Sequence, residues 1–444
     1  SRNTTINMII DKDFKPIYLV CEEMERGGNI PFSISVFRYD ELLSTFKSKI
    51  TKNFDESYTY FKQMFLTVFW IYGGNKVFIK GNEKYLLKIL DSLLKDEEVK
   101  ITLETMKEIF HSDVLVTYSK EPLPKRTIKK VKLASSFKGN RIGFDAGGSD
   151  RKVSSVVDGK VIFEEETVWL PKENPDWHYH EKGIIDSLNK AAEKLKTVDA
   201  VGVSTSGIII DNKMVQAALF VKVPRKDIIE HVETIYIDII KKKFPSASFS
   251  IINDGDISAI AGANYYKKKN VLGLAFGTSE AAGYCYNNKT ISGYFNELSK
   301  VPIDFNPNAA IHKTMGIKGA GSRYLSQSGA IRLAEMQGMS LNGTLAEKLK
   351  QIQQEVVNNN PLAINIFKDM GIYLATALIF YSRFYKIDNV IILGRVTSSV
   401  GGEIMLNSCM DYLKEHKRLE NVTIYLPDEN FRRLGQSFIA SSIG

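Results

Sequence analysis

Cysteine is scarce in this 444-residue chain: Cys21, Cys285 and Cys409 lie far apart and form no C-x-x-C pair. That spacing excludes a disulfide framework and a zinc site built from thiolates. Long apolar runs are lacking too. The stretch MFLTVFWIY at 64–72 stands out, and it falls far short of the roughly 20 residues that span a bilayer. No signal-peptide pattern opens the sequence, so the expectation is a cytoplasmic protein with no membrane partner. Helix-turn-helix, zinc-finger, winged-helix and arginine-rich patterns are absent as well. The net charge of +8 and the clusters KKVK (129–132), KKK (241–243) and KKK (267–269) would suit an anionic partner. Each cluster sits at a linker or a helix end, however, where lysines are ordinarily solvated or complement the helix dipole. Nucleic acid is therefore not an expected partner.

What is present is a globular composition, 44% hydrophobic and 25% charged, in a chain long enough for two or three domains. The stretch EPLPKRTIKKVKLASSFKGN (121–140) combines two prolines, a basic cluster and a small-polar run, and reads as a linker. After it the pattern is regular. Strands at 141–147, 151–158 and 160–169 precede a helix near 180–196, the strand AVGVSTSG (200–207), a helix near 226–243, the strand SFSIIND (248–254) and a helix near 256–268. A second unit repeats this order with VLGLAFG (271–277), EAAGYCY (280–286) and TISGYFN (290–296). Helical stretches between 319 and 385 follow, then NVIILG (389–394), a helix near 400–415, NVTIYLP (421–427) and a closing helix near 430–441. Two three-stranded meanders that each continue into alternating α and β elements imply paired mixed sheets with a cleft between them.

RIGFDAGGSD (141–150) raises a question of its own: phosphate loop or hairpin corner. Glycines serve both, because they permit tight turns and let backbone N–H groups approach an anion. The matching turn AFGTSEAAG (275–283) favours the phosphate, since two such turns at equivalent positions can clamp one polyphosphate.

These motifs resemble the acetate and sugar kinase, heat-shock ATPase and actin superfamily, and within it the ROK family (repressors, uncharacterised frames and sugar kinases), over about 141–441. The resemblance implies an α/β fold of two actin-like ATPase (ribonuclease H-like) half-domains, 141–269 and 270–444, with mixed five-stranded sheets flanked by helices. It also implies ATP, Mg²⁺ and a sugar as partners of a monomer or homodimer. By that likeness Asp145 holds Mg²⁺ through water, and Gly147, Gly148 and Ser149 line the phosphates together with Gly277 and Thr278. VGVSTSGII is similar to the sugar-side segment, with Ser206 replacing a proline before Gly207. IINDGDISAIAGA makes Asn253 a sugar ligand and Asp254 the general base. ELSKVPIDF makes Glu297 a sugar ligand and puts Lys300 where the family has histidine. MGIKGAGSRYLSQSGAI is similar to the family's zinc segment, but Met315, Ala320 and Ser322 replace its ligands, so zinc is not expected.

Two departures touch the nucleotide. Glu280 lies in the second loop, where it would repel a polyphosphate unless turned away. The adenosine segment reads Leu-Gly-Arg, and Arg395 after Gly394 either stacks on adenine or obstructs it. Three functions stay open: an ATP-dependent carbohydrate kinase, a catalytically degenerate sugar- or nucleotide-binding sensor or scaffold, and an N-acetylglucosamine kinase or BadF-type kinase acting on another small molecule. Independently of the family, phosphoryl transfer to a hydroxyl needs a carboxylate acceptor and a metal, and Asp254 and Asp145 at strand ends are candidates. Apart from the resemblance, Asp254 reads more readily as the N-cap of the next helix, with Asp256 as a competitor. His178 and His180 in WHYH (177–180) read as surface or sugar-rim residues rather than metal ligands, beside a helix that Asp176 can cap.

Residues 1–120 form an extra α/β domain. A long apolar helix at 55–72, NKVFIKG (75–81), a helix near 82–95, VKITLE (99–104) and a final helix parallel the order at 363–441, with Gly81 where Gly394 falls. The region is either a degenerate copy of the second half-domain, mimicking a dimer partner, or an unrelated domain.

Overall fold

The structure is a computed structural model describing residues 6–428, 430–431 and 435–444. The N-terminal region builds a four-stranded sheet from β1 (Ile30–Arg38), β2 (Glu41–Ile50), β3 (Lys76–Gly81) and β4 (Leu115–Tyr118), in the order β2-β1-β3-β4. The helix Phe54–Tyr72 packs on it, started by the Asn53 side chain, which accepts from Glu56 N–H. VKITLE is not a strand: it lies in the helix Glu97–Phe110. Its β-branched residues suggested a strand. The buried residues Val99, Thr102, Met106, Ile109 and Phe110 nevertheless recur at helical spacing behind an Asp96 cap, and burial of that face decides the outcome.

The predicted helix-strand-helix order of this region is present, but β1 runs antiparallel to β3. On its other side β3 pairs parallel with β4. Gly81 and Gly394 both take positive φ, yet Gly81 lies against Pro31 and Phe32 at the start of β1, whereas Gly394 lies against Phe276 at the end of its strand.

The connection that follows carries a short exposed strand, β5 (Lys130–Lys132). The chain then runs β6 (Asn140–Ala146), β7 (Asp150–Val157), β8 (Lys160–Val168), β9 (Ala200–Thr205), the hairpin β10 (Ile208–Ile210) and β11 (Lys213–Gln216), and β12 (Ser248–Asn253). Its five-stranded sheet has the order β12-β9-β6-β7-β8. The meander β6-β7-β8 is antiparallel, while β9 and β12 are added parallel to β6. The predicted mixed sheet is therefore present. Ile142, Phe144, Val201, Val203 and Ile251 bury one continuous core with helices on its face. The helix Gln436–Ser441 lies so close to β6 and β9 that a Cβ on Gly143 or Gly202 would stand 1.7 and 1.6 Å from its carbonyl oxygens, so only glycine fits there.

The remaining strands are β13 (Val271–Phe276), β14 (Glu280–Asn287), β15 (Thr290–Ser292), β16 (Asn389–Leu393) and β17 (Thr423–Tyr425). Their sheet is six-stranded, in the order β17-β16-β13-β14-β15-β5, where five strands were expected. The sixth is β5, drawn from the stretch read as linker: Lys130, Val131 and Lys132 pair antiparallel with β15. Part of the closing helix near 430–441 lies outside the described residues, and Gln436–Ser441 is its described portion.

By compactness the chain forms two units. One comprises Ser1–Lys129, Ala275–Ala281 and Tyr294–Leu426; the other comprises Lys130–Leu274, Ala282–Gly293 and Pro427–Gly444. In the first, the helix Pro361–Tyr381 is the one described helix long and apolar enough to cross a membrane, with 21 residues and a mean hydropathy of 1.5 in its most apolar window. Of its most apolar window 78% is buried in the fold, including Gly371, which lies against Met405 and Ser408 of the helix Val400–Glu415. It is a core helix.

Candidate functional site

In the unit that holds β6, Asp145 stands one residue from the end of that strand, opposite Ser204 of β9 and Lys152 of β7. Burial of its carboxyl group raises the pKa to about 6; the Ser204 hydroxyl and the Lys152 charge oppose that rise, and Asp150 adds to it. At neutral pH the group is mostly ionised, as a metal-holding carboxylate must be. The turn beyond it closes through Gly147 N–H donating to the Asp150 carbonyl at 2.9 Å. Trp169 braces the turn: its indole N–H donates to the Gly147 carbonyl at 2.8 Å and its backbone N–H to the Ser149 carbonyl at 3.1 Å. Gly148 and Ser149 are exposed, and no acceptor among the described residues takes their N–H groups. Two unsatisfied donors on a braced turn suit an anion.

At the end of β12, Asn253 caps the helix Asp254–Tyr266, its Oδ1 accepting from Gly255 N–H at 2.8 Å. Its Nδ2 donates to the Gly207 carbonyl at 2.6 Å, tying the cap to the turn after β9. Gly207 needs its positive φ of 106° there, and a Cβ would stand 2.1 Å from the Gln216 carbonyl. The Ser206 hydroxyl is buried with no hydrogen-bond partner among the described residues. Asp254 is thus the first helical residue and not the cap. It is half-buried, and its Oδ1 also approaches Gly255 N–H at 3.0 Å. Its competitor Asp256 is buried and accepts from Tyr284 N–H of β14 at 3.2 Å, a structural bond within the core.

In the other unit, the second turn closes with Gly277 N–H on the Ser279 carbonyl at 3.0 Å, and the Gly277 carbonyl accepts from Gln327 N–H at 2.8 Å. Thr278 and Ser279 are its exposed residues. Glu280 turns inward. It is 5% exposed, with Oε1 accepting from Tyr381 OH at 3.2 Å, and Oε2 lies 2.4 Å from where a Cβ on Gly321 would stand. Burial raises its pKa to about 8, against a small opposing effect of Tyr381. The glutamate that would repel a phosphate is therefore withdrawn from the surface of the turn.

Gly394 is required by its φ of 99° and by its approach to the Phe276 backbone. Arg395 is exposed at the start of a 3-10 turn, its carbonyl accepting from Gln353 at 2.8 Å. Glu297 and Lys300 form an ion pair at 2.8 Å, and the Lys300 ammonium lies 4.9 Å from the buried Trp70 ring. Around the segment resembling the zinc motif, Met315 and Ala320 are buried, and Gly316 and Gly319 take positive φ. His312 accepts from Met315 N–H at 3.1 Å through Nδ1, and burial, with Lys300 and Arg323, lowers its pKa to about 4.

Three residues escaped sequence reasoning. Trp169 and Trp70 act through contacts distant in sequence and leave no local signal. His180, read as a surface or rim residue, is fully buried and hydrogen-bonded to the Pro171 and Leu219 carbonyls, whereas His178 is exposed beside the Asp176 cap. Tyrosine and histidine at i and i+1 gave no period from which to tell an inward from an outward ring.

No family model and no curated protein matches this sequence. Solved structures do match. A ROK-family glucokinase from Streptomyces griseus, in complex with glucose and AMPPNP, is 16% identical; the match covers 69% of this chain and 98% of that one, with a TM-score of 0.51. A ROK hexokinase from Thermus thermophilus is 15% identical over 69% of this chain and 97% of its own, with a TM-score of 0.53. A ROK-family transcriptional regulator, a homolog of the E. coli MLC protein, is 13% identical over 68% of this chain and 78% of its own, with a TM-score of 0.55. With sheets flanked by helices as in an actin-like two-domain α/β fold, this chain is a divergent bearer of the fold shared by ROK sugar kinases and a ROK regulator.

Proposed function

We propose that this protein is an ATP-dependent kinase that phosphorylates a hydroxyl of a sugar or sugar derivative, working in the cytoplasm as a monomer or homodimer without nucleic-acid or membrane partners. The observation that carries the reading is at the end of β12. Asn253 takes the helix cap and Asp256 is engaged in the core, while Asp254 follows half-buried as the first helical residue, next to the Asn253 side chain that reaches the Gly207 turn. Its carboxylate accepts the proton of the acceptor hydroxyl, and Asn253 and the unpartnered Ser206 hydroxyl, with Gly207, orient the acceptor. Gly148, Ser149 and Thr278 offer N–H and hydroxyl donors to phosphates on turns that the Gly147 and Gly277 N–H groups close, and Gly394 and Arg395 border the nucleoside. Asp145 is the residue that fits Mg²⁺, held through water; the ion would supply charge neutralisation on the transferring phosphoryl group.

The test is Asp254→Asn, assayed for phosphoryl transfer across neutral, amino and acidic sugars. Asparagine keeps size and polarity but accepts no proton, so turnover should fall by roughly 10²-fold or more with binding and stability little changed. Unchanged turnover would refute the base assignment.

The ion pair of Glu297 and Lys300 favours a second reading, a sensor or scaffold that binds without transfer. A carboxylate that holds its own ammonium at 2.8 Å is a weaker ligand for a sugar hydroxyl. Nucleotide binding with no sugar phosphorylated would put this reading first.

A further inference from the structure

After β8 the chain returns across the first glycine turn. Trp169 supplies the two hydrogen bonds that brace the turn, and Leu170 N–H donates to Tyr179 OH at 3.0 Å. Pro171 is buried, and its carbonyl accepts from His180 Nε2 at 2.8 Å. His180 is itself held, stacked on Phe220 with ring centroids 4.1 Å apart. The main chain is therefore pinned immediately before the exposed Lys172, which lies in the short 3-10 turn Pro171–Glu173.

That placement brings a cation to the turn. Lys172 Nζ lies 3.6 Å, and its Cε 3.5 Å, from where a Cβ on Gly148 would stand. The ammonium is beside the residue pair whose N–H groups have no acceptor, and no carboxylate among the described residues pairs with it. The turn itself carries two acids, Asp145 and Asp150, with Lys152 opposite Asp145. An anion entering there meets a net repulsion that one more fixed cation relieves.

We propose that Lys172 is a binding residue for the polyphosphate chain of the phosphoryl donor, adding an ammonium to the N–H donors of Gly148 and Ser149. The inference rests on the kinase reading. A lysine is suited to the role as a compact point charge with three donors, and its neighbours spare it the entropy of a mobile backbone. No sequence motif marks it, because it reaches the turn from beyond two intervening strands.

The test is calorimetric titration of the full chain with Mg-ATP and with Mg-tripolyphosphate, which lacks a nucleoside. Lys172→Ala should bind both about tenfold more weakly, the scale of one charge-assisted hydrogen bond. Lys172→Arg should recover most of the loss, and Lys222→Ala, at another exposed lysine, should bind as the unaltered chain does. Equal affinity in Lys172→Ala would overturn the inference, as would a loss seen with Mg-ATP but not with tripolyphosphate. If the unaltered chain binds Mg-ATP but Lys172→Ala makes no difference, only this inference falls. If the unaltered chain binds neither probe, the kinase reading falls and takes it along.

Discussion

The turn at 145–150 and the turn at 275–280 each leave a strand, close on the N–H of the first glycine and expose the next two residues, although Gly147 bonds the carbonyl three residues on and Gly277 the carbonyl two residues on. Their side chains differ at both ends. The first begins with Asp145 and ends with the half-buried Asp150; the second begins with Ala275 and ends with Glu280, buried away from the exposed edge. Backbone donors are thus duplicated while charge is not. A repeated fold can hand anion binding to both turns and metal handling to one, because N–H groups come with the backbone and a carboxylate must be placed by sequence.

The largest expected effect breaks that asymmetry. Asp145→Ala makes the first turn resemble the second and should lower Mg²⁺-dependent turnover by about 10²-fold or more, the scale of lost charge stabilisation in a transition state. The check is turnover measured as a function of Mg²⁺ concentration. An unaltered Mg²⁺ response would mean that the two turns do not divide their work by charge.

Glu280 sharpens the comparison through stability. Its folded pKa of about 8 lies above the ordinary glutamate value of 4.5, so the folded state holds a proton that the unfolded state gives up. The stability this carboxyl contributes is fully present below about 4.5 and is lost as pH rises through about 8. Glu280→Gln cannot ionise. Its thermal midpoint should match the unaltered chain at about pH 4 and exceed it at pH 8, with a difference bounded by roughly 1.4 kcal/mol per pH unit crossed. Midpoints that stay parallel from pH 5 to 8 would show that Glu280 is not a neutral buried acid.

Particular residues show what could be read in advance. Both meanders were legible because alternation and terminal glycines act within a few residues, and the same holds for the cap at Asp176 and the strand ends that place Asp145 and Asp254. Local signals also misled. Val99 to Glu104 look like a strand by residue type, but burial of a helical face chose otherwise. Lys130–Lys132 carry no hydrophobic period, since β5 is exposed and exists only because β15 offers an edge. The cap at β12 belongs to Asn253 because its amide satisfies Gly255 N–H and the Gly207 carbonyl at once, and the second bond joins residues 46 apart. Trp70 beside Lys300 and Lys172 beside Gly148 are likewise products of tertiary packing. Sequence periodicity carries no record of such pairs.

The central claim, that the exposed edge of the first glycine turn is a phosphate site of a kinase, is tested most directly by titrating Mg-ATP into the full chain and reading the heat of binding. The account predicts saturable binding of one nucleotide per chain, weakened when Mg²⁺ is omitted. Absence of binding at millimolar nucleotide would contradict it.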